Sequence, residues 1–209
     1  METVKRNFDT EASAWDNPTR MKLAVDVFQA MSSGLFLTQT MSVLDFGCGT
    51  GLITLPLALR VHTVTGVDSS KGMLEVLSTK VLQQHARNIQ TMHLDLSSDD
   101  VLSGSYDAIV SSMTLHHIKD TSKLLKHFYE ALQPGGQIAL ADLDAEGGKF
   151  HDHNDGVFHF GFDRAALGQL MAEAGFSDVH FTTATQMHKP DAAGNDRVFS
   201  VFLVTGKKL

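Results

Sequence analysis

Two spacings of apolar residues alternate along this chain. Ser42 to Phe46, Val61 to Val67, Ile89 to Leu94, Tyr106 to Ser111 and Gln137 to Ala141 are short, largely apolar runs bounded by turn formers. Such runs read as strands buried on both faces of a parallel sheet. Between them the apolar residues recur at helical spacing: Met21, Ala24, Val25 and Phe28; Leu52, Leu55 and Leu59; Met73, Leu74, Leu77 and Val81; Leu124, Leu125, Phe128 and Leu132; Leu167, Leu170, Met171 and Ala174. Helix boundaries are marked as well. Asn17-Pro18 is a cap followed by proline at the first helical position, and Ser32-Ser33-Gly34 ends that run. Thr121 opens a helix that Pro134-Gly135-Gly136 stops, and Asp163 caps one closed by Gly175. Val179 to Thr183 and Phe199 to Thr205 read as an antiparallel pair around the polar loop Lys189 to Arg197. Strands alternating with helices predict an α/β fold with a mostly parallel sheet. Ala145 to Phe162 is irregular, rich in glycine and histidine, and long for a connection within one domain. Loops of that length are often lids or binding loops.

The first strand runs into Asp45-Phe46-Gly47-Cys48-Gly49-Thr50-Gly51. Alternate glycines admit positive φ and leave no Cβ between backbone and ligand. A strand–turn–helix unit of this kind binds nucleotide-like ligands beyond the carboxyl end of its strand. A dinucleotide fingerprint would need a third small residue where Leu52 stands, so that pattern fails. The second strand ends in Asp68, about twenty residues past the turn, where an acid accepts hydrogen bonds from ribose hydroxyls. The alternative for Asp68 is a cap for the helix that starts near Lys71, after Ser69 and Ser70, and both roles can hold at once. Met73, in the first turn of that helix, is a core residue within reach of a bound base.

Composition narrows the class. A chain of 209 residues with 43% hydrophobic and 20% charged residues is an ordinary globular protein, most simply one domain. A net charge of −7, with basic residues scattered apart from Lys5-Arg6 and Lys207-Lys208, argues against nucleic-acid partners. Cys48 is the only cysteine, so neither an intrachain disulfide nor a cysteine zinc cluster is available. No run is long enough to span a bilayer, and the first residues carry no apolar signal core. A cytoplasmic protein is expected.

Asp-x-Gly-x-Gly-x-Gly over Asp45 to Gly51 resembles motif I of the class I S-adenosylmethionine (SAM)-dependent methyltransferases. Tyr106-Asp107-Ala108-Ile109 leading to Leu115-His116-His117, and Leu132-Gln133-Pro134-Gly135-Gly136, are similar to later marks of that family, in its small-molecule, ubiquinone/menaquinone-biosynthesis type. Phe8-Asp9 through Ala12, Trp15-Asp16 and Pro18 looks like the N-terminal segment that folds over the cofactor in many small members. The resemblance implies a Rossmann-like core of about seven strands over 41–209, with helices on both sheet faces, a terminal antiparallel pair and 145–162 as the substrate-side loop. Residues 1–40 would be a lid or helical segment, for which surface packing is the alternative. SAM would be the methyl donor and S-adenosylhomocysteine the product. Asp45, Gly47, Cys48, Gly49, Gly51, Asp68, Ser69 and Met73 would bind it, with Trp15 and Arg20 from the lid. Asp95 and Leu96 would hold the adenine, and Ser111 would lie beside the methionine portion. The alternative for Asp95 is a loop acid in a polar stretch whose Asp99 and Asp100 are solvated.

Methyl transfer is an in-line displacement at a sulfonium, so the protein positions the reactants and excludes water. Cys48 reads as a small packed residue, not as a nucleophile. A base is needed only for an acceptor that carries a proton. His116, His117, His151, His153, His159 and Asp142 are candidates by position, His117 first and His151 second, while packing and capping are the alternatives. Adjacent His116 and His117 are not expected to face the site together. His151-x-His153 with Asp142, Asp144, Asp152 and Asp155 invites a metal, yet no third ligand has diagnostic spacing and none is expected. Phe150, Phe158, Phe160 and Phe162 would wall an apolar acceptor pocket, or simply pack the loop. The acceptor is expected to be a small molecule. RNA or protein methylation, or a non-catalytic SAM-binding subunit, are the alternatives.

Overall fold

The computed structural model describes residues 7–95, 102–151, 153–190 and 196–209. Leu96, Asp99, Asp100, Asp152 and the pair Lys5-Arg6 lie outside the described residues. Strands β1 (Ser42–Phe46), β2 (Thr63–Asp68), β3 (Ile89–His93), β4 (Tyr106–Ser112), β5 (Leu132–Leu143), β6 (Ser177–Pro190) and β7 (Asp196–Lys207) form one sheet in the order β3-β2-β1-β4-β5-β7-β6. The first five are parallel, and β7 runs antiparallel to both β5 and β6. The strand order reverses between β1 and β4, the place where open α/β sheets bind ligands.

Side-chain alternation across the sheet explains the layers. Leu44, Ile109, Ile138, Leu140, Phe202 and Val204 face one side, with Leu124, Leu125 and Phe128 of helix α5 (Thr121–Ala131) and Leu167 and Met171 of α6 (Arg164–Glu173). Their neighbours Val43, Ala108, Val110, Ala139, Ala141, Val201 and Leu203 face the other side, with Ala24, Val27 and Met31 of α2 (Pro18–Gly34) and Leu57 of α3 (Thr54–Ala58). Helices α1 (Phe8–Glu11) and α4 (Lys71–Gln83) complete the set.

The expected elements are present, with four corrections, the first being that β6 ends at Pro190 and β7 starts at Asp196, inside the expected polar loop Lys189 to Arg197. Helix α2 buries Ala24, Val27 and Met31, while Met21 and Val25 are exposed. Both stripes have helical spacing and share Ala24, so periodicity alone does not choose between them. The helix after the glycine turn is a short α3 starting at Thr54, since residues up to Gly51 are held in the turn. Strand β5 begins at Leu132, because Leu132 pairs with Tyr106 before the register shifts at Pro134 to Gly136.

Candidate active site

A cleft of about 1870 Å³ opens at the carboxyl ends of β1, β2 and β4. One end, where the resemblance places the cofactor, is built from the glycine turn. Gly49 has φ +52°, and a Cβ placed there would meet no atom within 4 Å. Its backbone therefore faces open cleft, a cradle any side chain would enter. Gly51, at φ +87°, does something else. A Cβ there would stand 2.4 Å from Leu77 of α4, and Gly51 does not line the cleft. Its role is close packing of turn on helix, which corrects its expected contact with the ligand.

Asp68 closes this end. One carboxylate oxygen accepts from the Gly49 N–H and the other from the Ser70 N–H, both at 2.8 Å. Burial pushes its carboxyl up, against those backbone donors, which pull it down. The helix cap is Ser70, whose hydroxyl accepts from the Met73 N–H at 3.1 Å, so Asp68 is not the cap. Asp45 is buried and accepts from the Thr54 hydroxyl at 2.6 Å. Burial pushes its carboxyl up to about 7. Burial also drives the Cys48 thiol well above its ordinary range, which leaves no thiolate for chemistry.

The leading segment lies across this end. Asp9 accepts from the Ser70 hydroxyl at 2.6 Å and from the Gly72 N–H at 2.8 Å, and those donors hold its carboxyl below the usual range. Asp16 accepts from the Thr50 hydroxyl and pairs with Lys80. The Arg20 guanidinium stacks 3.9 Å above the Trp15 ring, and both line the cleft. Cys48, Ser69, Met73 and Asp95 line it too. Ser111 does not: it is fully buried and its hydroxyl donates to the Phe46 carbonyl at 2.8 Å. Ser112 and Met113 are the residues of that strand end that reach the cleft.

The opposite end is made of histidines. After β4 the chain turns at Met113, φ +55°, into a 3-10 turn over Leu115–His117. That turn brings both adjacent histidines to the cleft, their rings 4.1 Å apart, against the expectation that only one would face it. An extended or α-helical backbone would separate them; the sharp turn does not. His116 is buried, and its Nδ1 lies 2.7 Å from the equally buried Asp142 carboxylate, which also accepts the Leu143 N–H at 2.7 Å. His117 Nδ1 lies 2.8 Å from the Gly156 carbonyl, and its ring meets Phe8 edge-on at 5.2 Å. His151, from the long loop, stacks 5.1 Å from His116 and 5.7 Å from His117. The loop is pinned here because the His116 carbonyl accepts from the Phe158 and His159 N–H groups.

Other candidates fall elsewhere. His153 and Asp155 line the cleft. His159 Nε2 sits 2.9 Å from the Ile118 carbonyl, away from the cleft. Asp144 is engaged by the Arg164 guanidinium through two bonds of 2.7 Å. Phe150 and Phe158 wall the cleft, but Phe162 is in the core and Phe160 is half exposed beside Gly148. The reach of β6 into the site was not anticipated: Met187, His188 and Lys189 line the cleft, and Lys189 donates to the Phe150 carbonyl at 2.8 Å. The sequence reading ends this strand at Thr183, whereas β6 runs on to Pro190.

These features define a class. Residues 20–181, most of the chain, match the methyltransferase domain family, and the chain belongs to the class I SAM-dependent methyltransferases. It is 33% identical over 154 residues to an uncharacterised methyltransferase of Schizosaccharomyces pombe, covering 66% of this chain and 54% of that one. A ubiquinone biosynthesis O-methyltransferase of Pseudomonas syringae pv. syringae is 30% identical over 49% of this chain and 44% of its own. The chain spans about half the length of the curated relatives it matches. A SAM-dependent methyltransferase from Aquifex aeolicus has the same fold, with a TM-score of 0.71 at 18% identity over 96% of this chain and 98% of that chain.

The family's cofactor is SAM, and the cofactor end fits it: a Cβ-free cradle at Gly49 beside a carboxylate, Asp68, with lone pairs left for ribose hydroxyls. No helix among the described residues is long and apolar enough to cross a membrane.

Proposed function

We propose that this protein transfers the methyl group of SAM to a small-molecule acceptor held between the glycine turn and the histidine face. One observation carries the reading: a single cleft joins Gly49 and Asp68 at one end to His116, His117 and His151 at the other. SAM supplies a methyl carbon already activated on sulfonium. The chain's own part is positional. Asp68 holds the ribose and the Gly49 backbone leaves room for the charged tail. The segment 7–20, fastened through Asp9 and Asp16, acts as the lid that excludes water. Fixing the reactants in line in this way supplies roughly 7–11 kcal/mol of the barrier. His117 and His151 stand against the acceptor's nucleophilic atom, and Phe150, Phe158 and Met187 shape an apolar wall for its body.

A small acceptor is favoured by the net charge of −7, which repels a phosphate backbone. The Pseudomonas relative's name, a ubiquinone biosynthesis O-methyltransferase, also favours a small-molecule acceptor. The test is product formation across thiol, phenol, amine and carboxylate acceptors, with SAM affinity measured alongside. Turnover of at least one small acceptor is expected. SAM binding without turnover of any, together with salt-sensitive binding of RNA, would overturn the reading.

A further inference from the structure

The geometry points to a divalent transition-metal site made by His116, His117 and His151, with its open coordination position toward the acceptor. One ring nitrogen of each histidine lies within 4.8 Å of the others. Two nitrogens on one tetrahedral ion, bound at about 2.0–2.1 Å, stand roughly 3.3 Å apart, so small side-chain rotations close the set. This is not the cluster that the sequence spacing suggested, since His153, Asp144 and Asp155 take no part.

Three features beyond proximity support it. First, the supporting bonds fix the tautomers. His116 Nδ1 faces the Asp142 carboxylate and His117 Nδ1 faces the Gly156 carbonyl. Both partners only accept, so each Nδ1 carries the proton and each Nε2 keeps its lone pair. Metal-binding histidines are almost always oriented by such a carboxylate or carbonyl. Second, His116 Nε2 is buried with no hydrogen-bond partner among the described residues, and His151 Nε2 is also buried. A buried lone pair left without a donor is costly, and a cation at the centre of the trio supplies what it lacks. Third, the ligand set is chemically specific. Three neutral imidazoles suit zinc, copper, iron or nickel, and three protein ligands with a fourth position open describe catalytic zinc rather than structural zinc.

The site deepens the methyltransferase reading and rests on it for its role. Because the histidines and the glycine turn share one cleft, an acceptor hydroxyl or thiol occupying the open position is set toward the methyl donor. There the X–H proton passes to solvent and X keeps a lone pair. The X–CH₃ bond forms as the sulfonium S–CH₃ bond breaks, and that bonding pair stays on sulfur to give S-adenosylhomocysteine. The acceptor class is accordingly a phenol, alcohol or thiol, not a carbon nucleophile or a quaternising amine.

The test is direct titration of the full chain, stripped with a chelator, with Zn²⁺ against a competing indicator, and with Co²⁺ read by its visible absorption. One ion per chain is expected, with the intense visible bands of four-coordinate Co²⁺. His151→Ala and His117→Ala should each weaken Zn²⁺ binding by more than about 100-fold, and Asp142→Asn by about 10–100-fold through the supporting bond. His153→Ala should leave it unchanged. Zn²⁺ that fails to bind at one ion per chain, or binding that His151→Ala and His117→Ala leave intact, overturns the site. SAM affinity of the stripped protein separates the two readings. Zn²⁺ binding with no SAM binding supports the metal site and overturns the proposed methyl transfer; SAM binding with no Zn²⁺ binding does the reverse.

Discussion

The two ends of the cleft are built differently. The cofactor end draws on Asp45, Gly49, Asp68, Ser70 and Met73, residues close together in sequence and placed by two adjacent strands and the turns that follow them. The histidine end draws on Phe8, His116, Asp142, His151 and Met187, from five separate parts of the chain. The first is a local motif whose geometry travels with its spacing. The second exists only once β4, β5, β6 and the long loop have packed. Substitutions at the first end should therefore change SAM binding with little effect on the rest, while those at the second should disturb packing and chemistry and spare SAM.

The sharpest break is Gly49→Val. A branched side chain would enter the open cradle and resist φ +52°, so SAM binding should be abolished, as read by calorimetry, while the circular dichroism stays native. Retained affinity would mean that the turn is not the cofactor's cradle.

Asp68→Ala should weaken SAM by about 1.5–3 kcal/mol, the worth of a charged hydrogen-bond acceptor. An unchanged dissociation constant would reduce Asp68 to a brace for Gly49 and Ser70.

His116→Ala is the matching break at the other end. It leaves the buried Asp142 carboxylate short of a partner and should lower unfolding stability by about 1–3 kcal/mol. SAM affinity should stay within about twofold, and a parallel loss of it would dissolve the division between the ends.

A smaller effect appears with pH. Burial holds the Asp45 carboxyl at about 7 in the folded chain, against about 3.9 when unfolded. Between those values the folded state keeps a proton that the unfolded state has released, so this group's contribution is full below about pH 4 and is lost as pH rises through 7. Asp45→Asn cannot ionise and keeps an oxygen to accept from Thr54. Its stability relative to the unmodified chain should rise between pH 5 and pH 8, measured by urea unfolding. Equal differences at the two pH values would contradict the assigned environment.

The same division accounts for what the sequence made legible. The sheet class, most strand positions and the residues brought together around the glycine turn were readable, because alternation and glycine spacing are local properties. Gly51 and Ser111 were misread for a different reason. A motif fixes residue type but does not say whether a glycine is bare for a ligand or for Leu77, nor whether a hydroxyl at a strand end turns outward or bonds Phe46. At the histidine end the residue list was legible and the grouping was not. His116 and His117 face one cleft because Met113 adopts a positive φ that no glycine or asparagine announces. Asp142 acts through His116, a partnership of residues 26 apart in sequence, which periodicity does not reveal.

Asp9 and Asp16 fasten the leading segment to Ser70 and Thr50, which line the cofactor end, and to Gly72 and Lys80. On the proposed lid role, spent donor leaves only when one of these two clasps lets go, so departure rather than chemistry would set the pace of turnover. The Asp16–Lys80 clasp is ionic and partly wetted, hence weakened by salt. S-adenosylhomocysteine should then escape faster at high ionic strength in stopped-flow displacement, and an off-rate indifferent to salt would show that the segment is no gate.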